Sequence, residues 1–262
     1  MKKKRLISMV IMLLAILLLA MPVQAASKKY TNKWIKKNQK VYYYNAKGRR
    51  ATGLVKIRSK QYYFDKKGVQ HVGWQKIGSR YYYFKIARGS NAYMVKSSTV
   101  NGITLDARGR AATDSTSLRK LKIMVAANQT VESITTPLMS KKEKLQICFN
   151  YTKTKFGYTT PRTFSATSGW EMDYAEDMFF RGRGNCFSYA AAFAFLANAV
   201  GYNKVYVISS GGHGWAEIGG KVYDPDWALA SSVDSYFAMS YSLSGVQGRP
   251  NYAPNRTYVV KL

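Results

Sequence analysis

The chain has 262 residues, 47% hydrophobic, 14% aromatic and 21% charged; 41 Lys and Arg against 13 Asp and Glu give a formal charge of +28. That apolar fraction can build a packed core and excludes a disordered basic tail. Two cysteines and two histidines exclude a disulfide-dense scaffold, a Cys-rich zinc module and a His-based metal cluster, so no metal and no cofactor is expected.

Residues 1–25 read as an export signal. Met1-Lys2-Lys3-Lys4-Arg5 is a basic start, Leu6 to Met21 is an apolar run, and Val23-Gln24-Ala25 is a small-x-small ending suited to cleavage after Ala25. The run is short for a ~30 Å hydrocarbon layer, so no membrane span is expected after cleavage. The mature chain is then secreted and held at a surface non-covalently.

Residues 28–110 repeat with a period of twenty. Trp34, Leu54 and Trp74 are so spaced, as are Tyr42, Tyr62 and Tyr82; Tyr44, Phe64 and Phe84; Gly48 and Gly68; Gly53 and Gly73. Asn45 and Asp65 follow the aromatic runs, and residues 101–109 are a degenerate echo. Gln61–Asp65 reads as an aromatic strand with Lys66–Gly68 as its turn. Each unit is a short hairpin unable to bury its aromatic face alone, so neighbours are expected to stack into an all-β hairpin solenoid. This spacing resembles the cell-wall-binding (choline-binding-like, glucan-binding-like) repeats of Gram-positive surface proteins. The resemblance implies a wall ligand held by aromatic rings, with Trp34, Tyr62, Trp74 and Tyr82 as candidates; the alternative is that these rings only hold the repeats together. Leu54 stands where the pattern has Trp.

Charge narrows the partner. Residues 27–115 hold 21 of the Lys and Arg and 3 acids, whereas residues 116–262 hold 16 and 10. A positive field concentrated on the repeats attracts polyanions in a salt-dependent way. No nucleic-acid motif accompanies it, and an exported chain points instead to a cell-wall polymer: teichoic acid, glycan or peptidoglycan.

Residues 111–116 read as a linker, and 117–262 as a second domain. Ser117–Asn128 is helical, with Leu118, Leu121, Met124 and Val125 on one face. Ser140-Lys141-Lys142-Glu143 has the capping-box pattern and opens a helix to about Phe156, in which Cys148 is a buried structural thiol.

The stretch that bears chemistry is Arg183-Gly184-Asn185-Cys186, followed by a helix apolar on nearly every face and therefore buried. Cys186 opens it, where unpaired N–H groups and the helix dipole favour a negative sulfur. Lys204–Ile208 reads as a strand, Ser209–Gly212 as a loop delivering His213, and Gly214–Ile218 with Lys221–Asp224 as a hairpin through Gly219-Gly220. Pairing of Ile218 with Lys221 would set Trp215 opposite Asp224 and His213 opposite Asp226, with His213 diagonal to Asp224. Either carboxylate could orient the imidazole. Residues 231–262 read as loops and a last strand.

Gly184-Asn185-Cys186, His213-Gly214-Trp215 and Tyr223-Asp224-Pro225 together resemble the transglutaminase-like (papain-like thiol) superfamily. The resemblance implies an α+β domain with nucleophile, base and orienter at Cys186, His213 and Asp224, acting on amide bonds of a peptide or protein through a thioester. Asp226 stands where that pattern usually has Thr or Ser. The resemblance leaves open whether water completes the reaction, as in a peptidase or amidase, or an amine, as in a cross-linking acyltransferase. A non-catalytic adhesin is the third alternative. The Cys186 N–H is the expected oxyanion donor; for a side-chain donor, Tyr158, Trp170 and Asn185 are candidates and none is singled out.

Overall fold

The computed structural model describes residues 30–231 and 236–262; the export signal read in residues 1–25 lies outside them. The N-terminal part is a series of hairpins: β1 (Lys33–Lys37) with β2 (Lys40–Tyr44), β3 (Gly53–Ile57) with β4 (Lys60–Phe64) and the short β5 (Gln70–His71), β6 (Gly73–Ile77) with β7 (Arg80–Phe84), and β8 (Ser98–Val100) with β9 (Ile103–Leu105). The tight turns fall at residues 38–39, 58–59 and 78–79. Lys66–Gly68 instead closes the outgoing end of β4 and leads to the next unit. There the Asp65 carboxylate accepts from the N–H groups of Lys67 and Val69, and Asn45 and Asp106 do the same two and four residues downstream. The glycine three residues on (Gly48, Gly68, Gly109) takes positive φ. This side-chain turn is the physical content of the twenty-residue period, and residues 101–109 obey it too.

The hairpins remain separate small sheets and do not pack in one uniform stack. Trp34 meets Tyr62 with ring centroids 5.0 Å apart, and Tyr63 stacks on Phe84 at 6.0 Å. The third and fourth hairpins turn elsewhere: Trp74, Tyr81, Ile103 and Leu105 join the main core beside helix α1 (Ser115–Ile134). A Cβ on Gly73 would lie 2.1 Å from the Asn128 side chain, so β6 presses on that helix at a point where no side chain fits.

The C-terminal part continues with α2 (Lys141–Lys155), β10 (Gly157–Tyr158), α3 (Trp170–Arg181), β11 (Arg183–Gly184), α4 (Cys186–Val200), β12 (Val205–Ser209), β13 (Gly214–Ile218), β14 (Lys221–Tyr223), α5 (Pro225–Ala230) and β15 (Tyr258–Lys261). The Ser140–Glu143 capping box opens α2 in both directions, and Cys148 is buried within it. Strands β14-β13-β12-β15 form one antiparallel sheet. Helix α4 is buried at every residue because Ala and Phe alternate around it, and small side chains let α1, α2, α3 and the sheet all approach. Among the described residues no helix is long and apolar enough to cross a membrane.

Candidate active site

Cys186 is the first residue of α4, with Asn185 as N-cap: its side-chain oxygen accepts from the Ser188 N–H. The parallel pair β10–β11 sets Tyr158 beside Gly184, two residues before the sulfur. On the other side, a Cβ on Gly214 would stand 2.8 Å from the Phe187 ring and 2.9 Å from its Cα. Only glycine lets β13 begin against the first turn of α4, and this contact carries His213 to Cys186. The Ser210–His213 loop is closed by its own bonds: Ser210 N–H donates to the His213 carbonyl at 2.9 Å, and His213 N–H donates to Ser210 Oγ at 3.0 Å.

The β13–β14 register is the one read from the sequence, Ile218 with Lys221 through Ala216 with Tyr223. Pairing stops there, because Asp224 caps α5 and Pro225 begins it, so His213 does not face Asp226 across a strand. Asp224 is fully buried. Its Oδ2 accepts from His213 Nε2 at 2.6 Å and from the Tyr252 hydroxyl at 2.7 Å; its Oδ1 accepts from the Trp227 N–H at 3.0 Å. Nδ1 is then the nitrogen left toward Cys186. The Cys186 sulfur, a His213 ring nitrogen and an Asp226 carboxylate oxygen all lie within 4.8 Å of one another. Rings of Trp215, Trp227 and Tyr252 surround the imidazole.

Burial opposes a charge on His213, but the Asp224 carboxylate and the Cys186 sulfur outweigh it and hold the imidazole at about 10. The ring therefore keeps its proton at neutral pH, beside the sulfur. Burial, and then Asp224, push Asp226 up to about 6, against a smaller opposing pull from His213. Asp224, not Asp226, is the carboxylate bonded to the imidazole.

Tyr158 is 59% exposed, and its ring stacks on Tyr189. Burial of the hydroxyl end, with Cys186 and Asp226 nearby, still raises the phenol above its ordinary value. Trp170 is a core ring packed on Phe164 and Tyr174. Asn185 is occupied as the helix cap. Sequence reasoning missed Tyr252, and also Tyr241, whose hydroxyl donates to Glu217 at 2.6 Å and accepts from Trp215 Nε1 at 3.0 Å. Both lie in a Ser- and Tyr-rich stretch without periodicity; no local pattern marks them.

The four aromatic candidates do not converge. Trp34 and Tyr62 touch, but Tyr62 is 2% exposed and gives its hydroxyl proton to the Ser90 carbonyl. Trp74 is 3% exposed, with its N–H on Asn101. Tyr82 lies on the third hairpin opposite Gln75. Tyr62 and Trp74 are buried where the hairpins close over them, which fits the alternative that these rings hold the repeats together. A cavity of about 410 Å³ between the hairpins and helices α1 and α2 is lined by His71 but by none of the four candidate rings.

Residues 128–228 match the transglutaminase-like superfamily, and residues 51–92 match the choline-binding repeat. A region similar to the choline-binding repeat thus precedes one similar to the transglutaminase-like superfamily. Among solved structures, similarity extends to the choline-binding domain of Spr1274 from Streptococcus pneumoniae, at 24% identity over 32% of this chain and 98% of that one, with a TM-score of 0.28. Choline binding protein F from the same organism, crystallised in the presence of a peptidoglycan analogue, is 36% identical over 31% of this chain and 28% of its own, with a TM-score of 0.28. The pneumococcal cell wall endolysin from phage Cp-1, complexed with choline, is 30% identical over 32% and 25%, with a TM-score of 0.23. This chain therefore spans nearly all of the first and under a third of the other two. None of the curated proteins matches it.

Proposed function

We propose that the chain is an exported thiol enzyme of the Gram-positive cell wall that opens amide bonds of envelope peptides or proteins. One observation carries this reading: a single imidazole lies between the sulfur of Cys186 and a buried carboxylate 2.6 Å from its far nitrogen. In the proposed cycle the Cys186 thiolate attacks the amide carbon. The developing oxyanion accepts from the Cys186 N–H. The His213 imidazolium gives its Nδ1 proton to the departing amine, the C–N bond breaks, and a thioester remains. Water, deprotonated by the now neutral imidazole, attacks that thioester; the C–S bond breaks and the thiolate–imidazolium pair returns. Hydrolysis is the preferred outcome because water outcompetes dilute amines unless a site excludes it. Transamidation is the second reading.

The basic repeats are the proposed anchor, attracting anionic wall polymer by their field. Isolated walls should therefore sediment the protein at low salt and release it at high salt. The catalytic test incubates the protein with peptidoglycan, and separately with a glutamine-containing protein plus a fluorescent amine, and reads mass changes. Loss of ammonia or of a peptide, abolished in Cys186→Ala, supports hydrolysis; incorporation of the amine supports transamidation. No mass change in either substrate, with Cys186 inert to alkylation, would remove the enzymatic reading in favour of an adhesin.

A further inference from the structure

We propose that Cys186, His213 and Asp226 form a binding site for a thiophilic divalent metal ion, zinc above all, whose occupation silences the thiol. Composition excluded a His-rich cluster, but a mixed site needs only one histidine. The three donor atoms lie within 4.8 Å of one another. Any three points so close fit inside a circle of radius about 2.8 Å, so one position lies within about 2.8 Å of all of them. Tetrahedral zinc bonds of about 2.0–2.3 Å then require each donor to move inward by at most about 0.9 Å.

Three further observations favour coordination. First, Asp224 occupies Nε2, so Nδ1 is the nitrogen facing the sulfur, its proton is the one the ion displaces, and the ring is fixed from behind by a carboxylate, as metal-bound imidazoles usually are. Tyr252 and the Trp227 N–H hold that carboxylate in turn. Second, the Asp226 carboxylate makes no hydrogen bond or ion pair among the described residues, so coordination breaks no existing bond. Third, the Asp226 carboxylate is itself an ordinary zinc ligand and turns a thiol–imidazole pair into a three-donor set. Sulfur with nitrogen and oxygen suits zinc over calcium or magnesium, and three protein donors leave one tetrahedral corner for water. Metal binding stands apart from the proposed catalysis, whereas inhibition rests on it: the sulfur cannot hold the ion and attack an amide at once.

The test titrates the mature full-length chain, in metal-free buffer, with Co²⁺ as spectroscopic probe and Zn²⁺ as competitor. The expected result is a sulfur-to-cobalt charge-transfer band in the near ultraviolet, displaced by one equivalent of Zn²⁺ and absent from Cys186→Ala. Asp226→Asn and Asp226→Thr should each raise the Zn²⁺ Kd at least tenfold while circular dichroism stays that of the parent. The proposal is overturned if the parent gives no such band, if the band survives in Cys186→Ala, or if both Asp226 variants bind Zn²⁺ as tightly as the parent. Should the metal signatures appear in a chain that transfers no acyl group, the metal site stands and the catalytic reading falls.

Discussion

Asp224→Asn isolates the part of the site on which the chemistry depends. The carboxylate accepts three hydrogen bonds inside the protein, from His213, Tyr252 and Trp227. An amide has one oxygen. If that oxygen stays on the Trp227 N–H, the NH₂ group meets two donors, and the imidazole must move its proton to Nδ1 and accept at Nε2. The neutral ring then keeps its proton on the nitrogen facing the sulfur and cannot take one from the water of the second step. If the oxygen turns to His213, the α5 cap is lost, at about 1 kcal/mol. In either case the carboxylate charge that held the imidazole at about 10 is gone, and burial pulls the ring toward its neutral form at pH 7. We expect kcat/KM to fall by about 10³–10⁴, the scale known for orienting carboxylates in other triads, with stability reduced by about 1–3 kcal/mol. The alkaline limb of the pH–rate profile should move from near 10 to neutral pH or below. Amide turnover and iodoacetamide alkylation, each from pH 5 to 10.5, measure both effects. A variant within tenfold of the parent, with an unmoved profile, would refute the assignment; equal loss only in Asp226→Asn would transfer the orienting role to that residue.

Three other outcomes follow from the same geometry. Burial pushes the Cys148 thiol up to about 12, so at pH 7.5 only about 10⁻⁴·⁵ of it is thiolate; native protein should be alkylated at one thiol, and Cys186→Ala at none on that timescale, whereas equal labelling of both would contradict the site. Gly214→Ala forces a methyl to within 2.8–2.9 Å of Phe187, so β13 must retreat from α4; a loss of about 1–3 kcal/mol in thermal unfolding and a larger relative loss of activity are expected, and an unchanged melting temperature would show that the contact is not tight. His71 bonds Glu132 at 2.8 Å and faces Asp65 at 3.6 Å; burial lowers its pKa, but the two carboxylates outweigh it, so its folded value lies above 6.5. Such a group stabilises the fold below the unfolded pKa, and the benefit fades as pH rises through the folded pKa. His71→Gln should therefore cost more stability at pH 5.5 than at pH 9, and the reverse order in melting scans would refute the pairing.

What the sequence made legible was local. Asn45, Asp65 and Asp106 each fix a turn within four residues, so their period could be read directly. Cys186 and the β13–β14 register were legible for the same reason: a helix start and a two-glycine turn are short-range signals. Local rules failed where partners come from afar. Asp224 could not be separated from Asp226 by register alone, because the strand ends in a helix cap whose geometry Pro225 and Trp227 set. The decisive second donor to Asp224 is Tyr252, twenty-eight residues on, in a stretch with neither helical nor strand periodicity. Arg256 is similar: it bonds Glu217, which points inward from β13, at 2.8 Å, and only the return of the chain as β15 beside β12 makes that contact possible.

The repeats and the thiol site are also less separable than their compositions imply. Residues 111–116, read from the sequence as a linker, are not a free one: the Ala111 and Ala112 N–H groups donate to the Tyr81 and Thr104 carbonyls, and Ser115 already begins α1. Here Trp74 and Tyr81 from the third hairpin, and Ile103 and Leu105 from the fourth, enter the same core as α1 and α4, and Asn101 bonds Asn198 on α4 at 3.1 Å. Burying such side chains is worth about 1.5–3 kcal/mol each, far more than a linker could resist thermally. Of the two rings that the sequence offered as ligand contacts on that hairpin, Trp74 is committed to the core shared with the helix that begins with Cys186, and Tyr82 is not part of it. Within one chain, therefore, the first two hairpins keep the freer surfaces, and the last two fix the orientation of the repeats relative to the thiol site.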